Sequence, residues 1–173
     1  MMKMRSQFRT IVFLFVLFIS GLGYTQTNPA ANDTNANKSL PVNPKADAII
    51  AYAKTFLGVP YRYGGTTPSG FDCSGFINYI FGNFGFSLVR TSYGLAELGE
   101  TIKLSDIQPG DLMFFKGSNV NSTTVGHVAL VIEVTPSTIK FIRSANGGVR
   151  IDNFKTEYYI RRYVKTKRLD YGG

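Results

Sequence analysis

One cysteine and one histidine are all that this chain of 173 residues has of either type, and tryptophan is missing altogether. With Cys73 alone no disulfide can close within the chain, and adding His127 does not supply the four ligands of a structural zinc site. The sequence has no phosphate-binding glycine loop and no metal-ligand spacing, so neither a metal nor another cofactor is expected. Acidic side chains are also scarce, 11 against 19 Lys and Arg, which gives a formal net charge of +8. A basic balance suits an anionic partner: nucleic acid, lipid headgroups or the acidic polymers of a cell wall.

Long apolar runs are absent but for one. Lys3, Arg5 and Arg9 precede an apolar stretch from Ile11 to Ile19 that is too short to span a bilayer, which needs about 20 residues. Residues 1–25 therefore read as a signal peptide, with small residues at Gly21, Gly23 and Thr25 and cleavage between Gly23 and Gln26; an uncleaved anchor is the alternative. Removing them leaves 16 basic against 11 acidic residues, a charge of +5. No cysteine follows the apolar run to carry a lipid. The expected product is exported, periplasmic or extracellular, monomeric and without a stable membrane anchor, and nucleic acid is not expected as its partner.

Residues 26–45 are rich in Asn, Thr, Ala and Pro and poor in large apolar groups, so burial cannot offset their ordering entropy and they read as a flexible tether. A single domain is expected at 46–169, with helix-start signals just ahead of it: Asn43 as cap, Pro44 in the first helical position and Asp47 in the first turn. Ile49, Ile50, Ala53 and Phe56/Leu57 recur at helical spacing until Gly58 and Pro60. A second helix follows the Asp72 cap, with Cys73, Phe76, Ile77, Ile80 and Phe81 on one side, and a weaker helical piece runs from about Ser92 to Leu98. After the turn Pro109-Gly110-Asp111 the pattern changes to strands at Leu112–Phe115, His127–Val134, Thr138–Ser144, Val149–Ile151 and Ile160–Leu169. Helices first and strands afterwards predict an α+β fold, an antiparallel sheet with helices packed on one side. Arg161, Arg162, Lys165, Lys167 and Arg168 cluster in the last strand; their alternation with Tyr163, Val164 and Leu169 reads as an ordinary solvated face, with an anion-binding patch as the alternative.

The chemistry-bearing residues are few. Cys73 falls in the first turn of its helix, where free N–H groups and the helix dipole favour a thiolate and could hold an oxyanion; a lone cysteine can equally be an inert core residue. If Cys73 acts as a nucleophile, His127 must be its base, since no other imidazole exists. Gly126 before it would allow close approach of substrate or of the Cys73 helix. Tyr61, Tyr63 and Tyr93 lie in turn-like segments and could wall a peptide groove, with the loop from Gly117 to Thr124 as a rim or a plain surface loop.

The runs Pro60-Tyr-Arg-Tyr-Gly-Gly65, Gly70-Phe-Asp-Cys-Ser-Gly-Phe76, Pro109-Gly-Asp-Leu-Met-Phe-Phe115 and Gly126-His-Val-Ala-Leu-Val131 together resemble the NlpC-type cell-wall peptidases in order and spacing, over nearly all of the chain from Ala48 to Tyr163. The resemblance implies a papain-like α+β fold with Cys73 as nucleophile on a helix packed against the sheet and His127 as base on the first central strand. It implies hydrolysis of peptidoglycan stem peptides, between γ-D-glutamate and a diamino acid, with Tyr61 beside the thiol and Asp72 and Ser74 contacting substrate or fixing the helix start; for Asp72 a pure capping role fits as well. The resemblance also implies a third polar residue, often His, that accepts the imidazole N–H. Arg143 stands there instead, within Phe141-Ile-Arg-Ser-Ala-Asn146, and a guanidinium has donors only and lowers the pKa of a neighbouring imidazole. Ser144, Asn146 or a backbone carbonyl could orient His127 in its place; otherwise the enzyme is slow, or the domain only binds the wall. Acyl or amide transfer by the same two residues is a further possibility.

Overall fold

The computed structural model describes residues 43–172; the signal peptide and nearly all of the tether lie outside the described residues. Helix α1 (Pro44–Lys54) starts as its sequence signals predict: the Asn43 side chain accepts from the backbone N–H groups of Lys45 and Ala46, and Pro44 occupies a position where no N–H is needed. The helix thus begins within the last two residues read as tether. It ends at Lys54, so Phe56 and Leu57 lie in the turn beyond it.

A short hairpin, β1 (Thr66–Thr67) with β2 (Gly70–Phe71), leads into α2 (Cys73–Gly82), whose buried side, Phe76, Ile77, Ile80 and Phe81, is the predicted one. The four-residue α3 (Ser92–Leu95) ends three residues earlier than the sequence suggests. The remaining strands are β3 (Glu100–Ile102), β4 (Leu112–Lys116), β5 (Val125–Val134), β6 (Ile139–Ala145), β7 (Gly148–Asn153) and β8 (Tyr163–Arg168), with a helical turn α4 (Glu157–Ile160) before the last. Ile160 belongs to that turn, so the last strand starts three residues later than its apolar pattern suggests. The six longer strands form one sheet in the order β3-β8-β4-β5-β6-β7, and each neighbouring pair is antiparallel.

Both sheet faces are covered, which explains why the central strands read as continuous apolar runs and not as alternating ones. Leu112, Phe114, Val128, Leu130 and Ile142 point into a core shared with α1, α2 and Leu95 of α3. Met113, Phe115, Ala129, Val131 and Phe141 point the other way, against Ile107, Phe154 and Tyr159. Each fully buried Phe contributes roughly 1.5–3 kcal/mol by leaving water, and six of them (Phe71, Phe76, Phe81, Phe114, Phe115 and Phe141) lie in these two layers. The packing continues past residue 169, where Tyr171 closes on Phe81 and Phe86.

Of the five cationic residues read as a solvated face, Arg161 is exposed, but the last two, Lys167 and Arg168, are tied down. Arg168 grips Asp111, a carboxylate only 1% exposed, through Nε and a terminal nitrogen at 2.7 and 2.9 Å, while Lys167 donates to the Gly99 carbonyl and Thr101. Asp111 also accepts the Gln108 N–H, so the Pro109-Gly110-Asp111 turn is tied to β8 by a buried ion pair. Two glycine contacts set the approach of the elements near the thiol. A Cβ on Gly75 would lie 2.0 Å from the Gly65 carbonyl oxygen, so only glycine lets α2 seat against the segment before β1. A Cβ on Gly126 would meet the Gly117 backbone at 2.7 Å, so this glycine admits the neighbouring strand end and not the Cys73 helix.

Candidate active site

Asp72 fixes the start of α2. Its Oδ1 accepts the Gly75 N–H at 2.6 Å, and both its oxygens receive the Arg90 guanidinium, at 3.0 and 2.6 Å. Ser74 Oγ joins the cluster, accepting from Arg90 at 2.8 Å and donating to Asp72 at 3.3 Å. Burial alone would raise the Asp72 pKa, but the Arg90 hydrogen bond, then those of Gly75 and Ser74, outweigh it and hold the carboxyl below its ordinary range. Asp72 is thus the helix cap. Ser74 is buried behind the helix start and does not line the pocket described next.

Cys73 and His127 line the same cavity, about 300 Å³ in volume, with Tyr61, Arg143 and Asn146 also on its wall. The thiol and the imidazole form no hydrogen bond with one another at rest. Burial pushes the Cys73 thiol above its ordinary value, the nearby Val128 N–H pulls it down, Asp72 pushes it up, and the N–H groups of Ser74 and Cys73 pull it down; burial wins. This corrects the expectation of a lowered pKa: helix-start donors are present, but the sulfur is too well covered for them to prevail.

His127 is the third residue of β5, placed on the same sheet face as Ala129 and Val131, with its ring 6.4 Å from that of Phe115. Part of the side chain is exposed, but Nε2 is sealed from solvent and has no hydrogen-bond partner among the described residues. Burial, then the Arg143 charge, push the imidazole pKa from 6.5 down to about 3, against a weaker upward pull from Asp152. At rest both reacting groups are neutral.

None of the candidate orienting residues accepts the imidazole N–H. Ser144 points to the opposite face of β6, where its buried hydroxyl donates to the Phe71 carbonyl at 2.7 Å. Asn146 reaches the pocket, where its backbone carbonyl oxygen accepts from Arg150 at 3.2 Å and its side chain makes no hydrogen bond to the imidazole. Arg143 stands beside the ring but turns Nε to Asp152 at 2.8 Å. Of the three tyrosines considered for a groove wall, only Tyr61 lines the pocket; Tyr63 and Tyr93 are 92% and 66% exposed away from it. Gly117 and Ser118 of the loop after β4 form part of the rim.

Several residues at the site carry no local sequence signal. Arg90 stands 18 residues from Asp72; Arg150 and Asp152 follow β6 across a turn; Tyr158, Tyr159 and Arg162 arrive with α4. Asp152 gathers Arg143, Arg150 at 3.1 Å and the Tyr159 hydroxyl at 2.9 Å, which together hold its carboxyl below the ordinary range despite burial. No group of three or more His, Cys, Asp or Glu among the described residues is arranged to hold a metal ion.

A helix-start thiol and a strand imidazole opening on one pocket of an α+β domain is the arrangement of the cysteine peptidases. The chain belongs to the NlpC/P60 family, whose model matches residues 58–168. It is 32% identical over 147 residues to the murein DD-endopeptidase MepS/murein LD-carboxypeptidase of Escherichia coli strain K12, covering 84% of this chain and 73% of that protein. It is 34% identical over 129 residues to the gamma-DL-glutamyl hydrolase of Bacillus subtilis strain 168, covering 72% of this chain and 30% of that protein. An NlpC/P60 family protein from Bacillus cereus ATCC 10987 superposes with a TM-score of 0.65 at 34% identity, over 75% of this chain and 41% of that one. The chain therefore spans less than half of the two Bacillus proteins.

Proposed function

We propose that the protein is an exported cysteine endopeptidase that hydrolyses peptidoglycan stem peptides at the bond between γ-D-glutamate and a diamino acid. The observation that carries this reading is the opening of the sole thiol and the sole imidazole on one pocket. The name of the B. subtilis relative supports the γ-glutamyl bond, and that of the E. coli relative supports a murein substrate. The basic N-terminal residues before a short apolar run support export, to the periplasm or beyond.

Cys73 Sγ attacks the carbonyl carbon as His127 takes the thiol proton, so no thiolate need be stored in a pocket that disfavours one. The developing oxyanion faces the first-turn N–H groups of Cys73 and Ser74, because the Gly75 N–H is already taken by Asp72. The imidazolium delivers its proton to the leaving amine, and a thioester remains on Cys73. Water then attacks the thioester with His127 as base, the acid departs and the thiol takes back its proton.

The partnerless Nε2 favours a second reading, a catalytically weak or inactive module that binds the wall. Digestion of defined muropeptides, followed by mass analysis, separates the two readings and separates γ-glutamyl cleavage from cleavage of D,D or L,D bonds. The wild type is expected to release the γ-glutamyl product and Cys73→Ala to release none while still binding; equal release by both would overturn the assignment.

A further inference from the structure

We propose that the pocket beside His127 is a carboxylate-binding subsite for the leaving half of the substrate, walled by Arg143, Arg150, Arg162 and Lys116; this rests on the peptidase reading. These four cations line the cavity, and none of its lining residues is acidic. The one carboxylate paired with the cluster among the described residues, Asp152, is shared between Arg143 and Arg150, so the wall keeps an excess of positive charge. Among the described residues Lys116 donates only to the Val120 carbonyl, at 3.0 Å.

The guanidiniums also keep unused donors. Arg162 Nε is buried with no acceptor among the described residues, while one terminal nitrogen reaches the Tyr158 carbonyl at 3.3 Å. The group lies 3.9 Å over the Tyr158 ring, an attractive stacking that holds it in place before any ligand arrives. Arg143 bonds through Nε alone among the described residues, with no hydrogen bond from either terminal nitrogen. A guanidinium N–H without a partner gains a hydrogen bond when an acceptor arrives. A carboxylate matches the guanidinium fork with two oxygens in one plane.

Chemistry fixes the side of the scissile bond. The leaving amine must lie against the imidazole to receive its proton, and the cations surround that imidazole, so the carboxylate they hold belongs to the amine-bearing half. A cavity of about 300 Å³ has room for a leaving group the size of an amino acid or dipeptide.

The test compares two reagents of one size at Cys73, anionic iodoacetate and neutral iodoacetamide, against a free thiol peptide in the same buffer. Electrostatic focusing predicts an iodoacetate-to-iodoacetamide rate ratio about tenfold above that of the peptide. The ratio falls roughly threefold or more in Arg162→Gln and Arg150→Gln, and also in unmodified protein as salt is raised, which needs no variant to fold. In parallel, paired muropeptides ending in a free carboxylate or a carboxamide on the leaving side are cleaved, with kcat/KM favouring the carboxylate by a similar factor. A ratio equal to that of the peptide, or equal cleavage of both muropeptides, overturns the subsite. Cleavage of neither muropeptide, with the alkylation bias intact, removes the peptidase reading and the substrate assignment with it.

Discussion

The two reacting residues are supported in opposite ways. Around Cys73 the polar side chains at the helix start are paired: Asp72 caps Gly75, Arg90 clamps both Asp72 oxygens and Ser74, and Gly75 lets the helix seat against the Gly65 carbonyl. Around His127 the pairing is withheld, with Nε2 sealed and partnerless beside a guanidinium that can only donate. The nucleophile is thus positioned by a redundant network, and the base by strand geometry and ring packing alone. A site built this way keeps its geometry when one contact near the thiol is lost, but it leaves the charge state of the imidazole to the field of the surrounding arginines.

Four variants break or sharpen that contrast, from the largest expected effect to the smallest. Replacing the only imidazole, His127→Gln, should cut kcat/KM on muropeptides by about 10²–10⁴-fold, the usual worth of a general base, with the denaturant midpoint little changed. Gly75→Ala puts a methyl 2.0 Å from the Gly65 oxygen and should destabilise the fold by about 1–3 kcal/mol in chemical denaturation. Arg90→Ala removes the clamp but leaves the Asp72 cap on Gly75, so a loss of about 1–2 kcal/mol is expected, with kcat at saturating substrate reduced far less than in His127→Gln.

The fourth variant, Arg143→Gln, has the most informative effect on pH. The Arg143 charge lowers the His127 pKa, so its removal should raise that pKa and shift the acid limb of the kcat/KM profile to higher pH. Stability follows the same linkage. The folded imidazole binds its proton near pH 3 and the unfolded one near 6.5, so the contribution of His127 is complete above 6.5 and lost as pH falls from there toward 3. The variant should lose less stability than the wild type across that window, as measured by urea melts at stepped pH.

The helices near the thiol were legible because their signals are local. Asn43, Pro44 and Asp72 write their own helix starts, and Phe76, Ile77, Ile80 and Phe81 mark the buried side within a single turn and a half. The edge strand Glu100–Ile102 was not legible, since two of its three residues are exposed and its identity comes from pairing with β8. Ile160, whose apolar pattern continues into the last strand, belongs with Tyr158 to a helical turn that no capping side chain announces. For the site, Cys73 and His127 stood out by being alone of their kind, and Arg143 by its place in a motif. Arg150, Tyr159 and Arg162, which line the pocket, and Asp152, which pairs with Arg143, Arg150 and Tyr159, did not, because only the antiparallel return of β7 and the turn at α4 bring them together. The raised thiol pKa is hidden from the sequence for a related reason: helix position is local, but burial of the sulfur beside β5 is not.

The account rests on a thiol and an imidazole that are both uncharged before substrate arrives. Because the chain has one histidine, an NMR titration of isotope-labelled imidazole reports His127 without assignment. The predicted result is a neutral ring throughout the mildly acidic range, with protonation only near pH 3. A midpoint at or above 6.5 would mean an imidazolium already paired with a thiolate, or a ring open to water, and would contradict the neutral site described here.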